Sequence, residues 1–178
     1  PDGHGLTMLP FLAGERSPGF SPSVGATITG IKTSTTALEV MQVGLESIAY
    51  RFGLVERLLQ QNVNNEWKII VSGGAIVNSR FWLQMISDVL KQSVEVCTEK
   101  QATNRGSAIL ALHALNIWPT LDTVLPSLGD NYEPDHERSF IYQKGLERHR
   151  RLYESMVSST SGFDRYAGNL EIQKKEKF

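Results

Sequence analysis

Seven apolar residues, Leu38, Met41, Leu45, Ile48, Phe52, Val55 and Leu59, recur at alternating spacings of three and four. Only a helix gathers such positions on one side, so this stretch is committed to a single long amphipathic helix. The stripe predicts that this side faces a core, and no chemistry is assigned to it. Thr35 or Thr36 can cap its start, with Glu39 placed one turn in. The remainder of the 178-residue chain must supply the cover for such a helix. At this length a domain buries roughly 70% of its unfolded surface and needs no staple. Lys and Arg number 18 against 19 Asp and Glu, a formal charge of −1. That balance excludes a broad electrostatic grip on nucleic acid or on an anionic membrane. The lone Cys97 excludes an internal disulfide framework and a Cys-rich zinc site. No apolar run is long enough to span a bilayer. The opening Pro1-Asp2-Gly3-His4-Gly5 has neither Met nor the pattern of a signal peptide. The expectation is an excised domain or processed fragment of a cytoplasmic protein.

The other elements follow from shorter signals. Leu6 to Leu12 is an apolar run that gives way to a long Gly- and Pro-bearing loop through Pro22. Ala26 to Ile31 suits a short strand, and Trp67 to Val71 a buried one. A helix is predicted from about Ser79 to Leu90, a strand at Val94-Glu95-Val96 and a small-residue helix from Arg105 to Asn116. Strand, helix, strand, helix in that order predicts an α/β unit with neighbouring strands in one sheet. Pro119 to Pro134 reads as a looser segment. An amphipathic helix then carries Tyr142, Leu146, His149, Tyr153 and Met156 on one side. Residues 1–158 are expected to form one domain and 159–178 a frayed tail.

The chemistry concentrates at Ile69-Ile70-Val71-Ser72-Gly73-Gly74-Ala75-Ile76-Val77-Asn78. A buried strand ends there in a glycine pair just ahead of a helix. Glycines permit a tight turn and let a ligand approach without a Cβ in the way. The N–H groups and positive end of the following helix favour phosphate. Asn78 offers a donor and an acceptor, the equipment for an adenine edge or a ribose hydroxyl. An ordinary strand-to-helix turn with Asn78 as N-cap explains the same residues. A dinucleotide-binding oxidoreductase domain is a further alternative, with Glu95 in the acidic role. It lacks the glycine pattern, since Ala75 stands where the second motif glycine belongs.

Several segments in order resemble the C-terminal domain of the FGGY family of carbohydrate kinases, gluconate kinases most of all. Gly5 to Pro18 is similar to the family loop ending in Gly-Glu-Arg-Ser/Thr-Pro. Gly25 to Ile31 and Gly44 to Tyr50 resemble the two halves of its C-terminal signature. Ser72 to Trp82 with Asp88-Val89-Leu90 resembles its adenosine-binding turn and helix, and Arg105-Gly106-Ser107-Ala108 the start of the next. The sequence departs at Val43 and Ser47, where members often carry Ala and Gly, and at Gln101, where many carry Glu.

The resemblance implies an α/β fold of the actin-like, ribonuclease-H-like class, paired with a second such domain across a cleft. It implies an ATP-dependent kinase acting on a primary hydroxyl of gluconate or a related sugar such as xylulose, with Mg²⁺ carried by the nucleotide. Ser72, Gly73, Gly74, Ala75 and Asn78 are the implied nucleotide-binding residues. The catalytic Asp and the phosphate clamp belong to the family's N-terminal portion, so no catalytic residue and no protein-held metal is assigned in this chain. Asp2-Gly3-His4-Gly5 is not the missing clamp, because no apolar strand precedes it. The implied partners are ATP or ADP, the sugar and the N-terminal kinase domain, with a homodimer as a further partner and neither nucleic acid nor membrane. The chain alone is expected to be nearly inactive. A non-catalytic, nucleotide-responsive module is the alternative.

Other side chains are given structural roles. Glu15 and Arg16 are expected to lock their loop through an ion pair or backbone hydrogen bonds, and Glu46 to make a surface or helix-end ion pair. His4, His113, His136 and His149 show no metal-ligand spacing, and His149 is expected to pack with Leu146 and Tyr153. Cys97 reads as a buried thiol. The cluster Arg148-His149-Arg150-Arg151 reads as a solvated face diluted by Glu147 and Glu154.

Overall fold

The computed structural model describes residues 1–61, 67–118, 120–121, 124–125 and 127–157. The chain folds as two compact units, one built from the described residues of 1–64 and 136–157 and the other from those of 65–135. The tail beyond 158 and most of the polar break after Gln61 lie outside the described residues. No helix among the described residues is long and apolar enough to cross a membrane.

In the first unit, β1 (Thr7–Leu9) pairs antiparallel with β2 (Thr27–Thr29), Met8 opposite Ile28. Helix α1 (Ala37–Gln60) begins at Thr36 in a capping box. The Thr36 hydroxyl accepts from the Glu39 N–H at 3.3 Å, and the Glu39 carboxylate accepts from the Thr36 N–H at 2.7 Å. Helix α5 (His136–Val157) packs against α1 and β1. Leu6, Leu9, Phe11, Val24, Tyr142, Leu146, Tyr153 and Val157 are buried, while Met156, expected on that face, is 39% exposed.

The apolar stripe does not form the buried side of α1. Leu38 is 72% exposed, Met41 68% and Leu59 52%. The side that is buried carries Val43, Glu46, Ser47, Ala49, Tyr50 and Gly53. The side chains at 47, 49 and 53 are small, and Tyr50 fills the space toward α5. Its ring lies 6.4 Å from that of Tyr142 and 5.7 Å from that of His149, centroid to centroid. The Tyr50 hydroxyl sits where a methyl on Gly145 would stand, so α1 and α5 meet at a residue without a Cβ. Two departures from the family pattern fall on this side. Val43 is 1% exposed, and the Ser47 hydroxyl donates to the Gly44 carbonyl at 2.7 Å.

In the second unit, β3 (Ile69–Val71) runs parallel to β4 (Val94–Cys97), Ile69 opposite Val94, as the strand–helix–strand order predicts. β5 (Leu128–Tyr132) adds antiparallel on the far side of β4. This strand lies in the segment read as loose. Its Leu-Gly-Asp-Asn-Tyr sequence lacks β-branched residues and is almost wholly exposed, so the ladder to β4 rather than propensity fixes it. Downstream of a one-turn helix α2 (Gly74–Val77), helix α3 (Arg80–Leu90) covers β4 and β5 with Leu83, Met85, Ile86 and Val89. Helix α4 (Ala102–Ala114) starts ahead of the expected Arg105, and none of its residues is fully buried. Cys97, in β4, is half-buried rather than sealed.

Candidate functional site

The chain leaves β3 at Val71 and passes through Ser72 and Gly73 into α2. Gly73 has φ +103° and ψ 128°, a region that residues bearing a Cβ avoid. Its carbonyl accepts from the Ile76 and Val77 N–H groups at 3.2 and 3.1 Å. The N–H groups of Gly74 and Ala75 have no acceptor among the described residues. α2 is a single turn, so the expected full-length helix dipole is absent, and the turn offers two backbone donors in its place. Asn78 is the C-cap of α2. The N-cap role falls to Ser79, whose hydroxyl accepts from the Trp82 N–H at 3.3 Å.

Ser72, Gly73, Gly74, Ala75 and Asn78 are brought together by contiguity, and all are exposed. A Cβ on Gly73 would meet nothing within 4 Å, and one on Gly74 would meet only the Asn78 amide nitrogen, at 3.8 Å. The space above the turn is therefore open and bounded on one side by Asn78, whose amide has no partner among the described residues. No carboxylate occurs from Val71 to Ser79, so the turn offers Mg²⁺ no charged ligand of its own.

Glu95 does not serve the turn. It accepts from Lys68 Nζ at 2.9 Å, ahead of the start of β3 and at the opposite end from Gly73. There it borders an open cavity of about 330 Å³ lined also by Trp67, Gln92 and Ser93. A ribose-binding acid is thus missing from the turn, which removes the support for a dinucleotide site. Asp88 accepts from the Asp135 N–H at 2.8 Å and the Gln84 amide at 2.9 Å, fixing α3 to the segment after β5. Gln101 precedes α4 without a side-chain cap and accepts from the Asn104 amide at 3.3 Å, so no charged contact arises there.

Two polar networks in the first unit were hidden in the sequence. Glu15, 4% exposed, accepts from Arg51 at 2.5 Å, from the Tyr153 hydroxyl at 2.7 Å and from the Gly19 N–H at 3.1 Å. The Arg51 guanidinium lies over the Phe11 and Tyr153 rings, 5.1 and 4.4 Å from their centroids. Burial, then the Glu15 carboxylate, pushes the Tyr153 hydroxyl's pKa upward. Glu15 thus locks its loop as expected, whereas Arg16 is exposed.

Glu46 departs from expectation: it is fully buried in mid-helix, not on the surface. It accepts from His4 Nε2 at 3.0 Å, the Asp2 N–H at 3.0 Å and the Gln42 amide at 2.8 Å. His4 Nδ1 accepts from the Leu6 N–H at 2.9 Å, which places the ring proton on Nε2. Asp2 also pairs with Arg148. Ligand-type atoms of Asp2, His4 and Glu46 lie within 4.8 Å of one another, but those of His4 and Glu46 already hold each other, so the cluster is a closed hydrogen-bonded network. Non-local partners, invisible to spacing, build both networks. On α5 the acidic neighbours dilute the basic cluster as read, since Glu147 accepts from Arg150 and Arg151, which hold its carboxyl down to about 2. The cluster is not one solvated face, because Arg148 pairs with Asp2 and His149 is buried. His149 is fully buried, as expected, and burial drives its imidazole down to about 4.

The family model for the FGGY family of carbohydrate kinases, C-terminal domain, matches residues 1–115. The chain is 26% identical over 161 residues to a xylulose kinase of Staphylococcus epidermidis, covering 88% of this chain and 31% of that protein. It is 25% identical over 176 residues to a gluconokinase of Bacillus licheniformis, covering 98% and 34%. The solved xylulose kinase of Lactobacillus acidophilus superimposes with a TM-score of 0.79 at 21% identity, covering 90% of this chain and 33% of that one. The chain spans about a third of the length of the curated relatives it matches.

Proposed function

The chain belongs to the FGGY family of carbohydrate kinases, through its C-terminal domain, with the actin-like α/β fold that goes with it; from that premise we propose that it supplies the nucleotide side of an ATP-dependent sugar kinase. The Gly73-Gly74 turn receives the ribose and α-phosphate, with the Gly74 and Ala75 N–H groups toward the phosphate and Ser72 shaping the entry. Asn78 meets the adenine. The observation that carries this reading is Gly74. Its N–H and that of Ala75 have no acceptor among the described residues, and the ground over it is open up to the Asn78 amide, 3.8 Å from where a methyl would stand. A ligand lying against this backbone would be crowded by a Cβ at Gly74.

Phosphoryl transfer rests on positioning and charge neutralisation. This chain contributes the first and part of the second, through two backbone donors. Mg²⁺ carried by the nucleotide would supply the rest of the charge neutralisation, and the turn offers it no carboxylate. The acceptor is a primary hydroxyl of gluconate or a related sugar; the gluconokinase and xylulose kinase matches both span most of this chain and support that class of acceptor. Activation of that hydroxyl falls to the N-terminal domain, and the cytoplasm is the proposed setting.

Calorimetric titration with Mg-ADP tests the site, with NADH as comparator. Saturable ADP binding, no NADH binding, and weaker ADP binding in Gly74→Ala and Asn78→Ala are expected. Gly74→Ala should melt no lower than the parent, because Ala favours the helical start. Unchanged ADP affinity in Gly74→Ala would overturn the site, and strong sugar-dependent ADP formation by this chain alone would overturn the division of labour.

A further inference from the structure

We infer that Phe81 is the stacking platform for the nucleotide base, an inference that rests on the nucleotide reading of the adjacent turn. Phe81 is the second residue of α3, three positions beyond Asn78. It is 62% exposed, the most exposed aromatic among the described residues of its unit, and no ring partner lies on it among those residues. Helical side chains lean toward the N-terminus of their helix, and one in the first turn covers the surface ahead of it. The residues directly ahead of Phe81 are Asn78 and Ser79, where the chain changes from α2 to α3, and those two helices are in contact.

The elements around the turn are therefore complementary to the parts of an adenine nucleotide. Backbone donors at Gly74 and Ala75 face the phosphate, and the open ground over Gly73 and Gly74 admits the ribose. The Asn78 amide, with one acceptor and two donors, matches the acceptor and amine of an adenine edge. A base held by its edge alone leaves its faces wet. A phenyl ring against one face adds the sequence-tolerant attraction that aromatic rings offer every base. Stacking alone does not choose among purines. Asn78 supplies that choice, since guanine presents two acceptors where adenine presents an acceptor and a donor.

Titrate the 178-residue chain, as parent, Phe81→Ala, Phe81→Trp and Asn78→Ala, with Mg-ADP, Mg-GDP and Mg-tripolyphosphate. Phe81→Ala is expected to weaken ADP and GDP about tenfold while leaving tripolyphosphate unchanged. Phe81→Trp should keep ADP affinity and gain a fluorescence signal quenched by adenosine. Asn78→Ala should narrow the preference for ADP over GDP. A loss of tripolyphosphate affinity equal to that of ADP in Phe81→Ala would overturn the inference, because the residue would then be supporting the turn rather than the base. ADP affinity unchanged in Phe81→Ala but lowered in Gly74→Ala would also overturn it, leaving the nucleotide site intact. No ADP binding by the parent chain would overturn both.

Discussion

Acidification from pH 7 to pH 4 should destabilise the first unit through a single imidazole. His149 is sealed beneath Tyr50 and between Leu146 and Tyr153 on α5. Neither ring nitrogen reaches hydrogen-bonding geometry with a described residue; the Met8 backbone is near enough to favour the charged form slightly but not to bond. Burial and, secondarily, the Arg51 charge hold the folded ring neutral down to about 4, against 6.5 for an exposed imidazole. Between those values the unfolded chain binds a proton and the folded chain does not. Stability is therefore full above pH 6.5 and falls as the pH drops toward 4. Integrating that difference gives a loss of about 2 kcal/mol by pH 5 and about 3 kcal/mol by pH 4. The Glu147 carboxyl, held near 2, loses its contribution only below 4.5, so the two windows separate. Urea denaturation of the parent, His149→Phe and His149→Gln, at half-unit steps from pH 7.5 to 4.5, measures the difference; groups common to all three cancel. The variants should show a flatter acid limb, by about 2 kcal/mol at pH 5. An acid limb as steep in both variants as in the parent would refute the reasoning.

Gly145→Ala should cost about 2–3 kcal/mol, because its methyl would coincide with the Tyr50 hydroxyl, and Tyr50→Phe should recover part of that loss in thermal melts. Arg51→Ala strands Glu15 in the interior and should cost about 3 kcal/mol, with faster tryptic cleavage at Arg16 as the loop loosens. Thr36→Ala removes one arm of the capping box and should lower stability by about 1 kcal/mol. Gly106→Ala lies within α4, where a methyl would meet nothing within 4 Å, so it should raise stability by about 0.5–1 kcal/mol.

The order of elements was legible because each carries a local signal. The Thr36–Glu39 cap, the β-rich Ile69-Ile70-Val71 and the parallel pair joined through a helix all appear as read. The burial of α1 was not. Periodicity reports where apolar side chains lie, and in this helix the stripe runs from exposed (Leu38, Met41, Phe52, Leu59) to half-buried (Leu45, Ile48, Val55), beside the buried side rather than on it. That side is written in residues that periodicity ignores: the small Ala49 and Gly53, Ser47 bonded to its own turn, and Glu46. Glu46 can be buried only because His4, Asp2 and Gln42 all donate to it, and the first two lie more than forty positions away. β5 was missed for a related reason, since its strand conformation is imposed by the β4 ladder.

The site was legible as a place but not as a mechanism. Sequence treats the glycines of this chain alike, and the structure separates them by what a Cβ would meet. Gly145 and Gly19 are demanded by packing, under the Tyr50 hydroxyl in one case and the Glu15 and Tyr153 oxygens in the other. Gly73 is demanded by its backbone angle. A ligand could vanish and these three would still need to be glycine, so none of them is evidence of binding. Gly74 has neither excuse: a methyl would clear every described atom, and the residue opens a helix where Ala is the better former. The fold leaves Gly106 equally free, so what sets Gly74 apart is its setting: it lies beside the exposed Asn78 and its N–H, like that of Ala75, has no acceptor among the described residues. The glycine pair drew attention through its first member, yet the functional argument stands on its second.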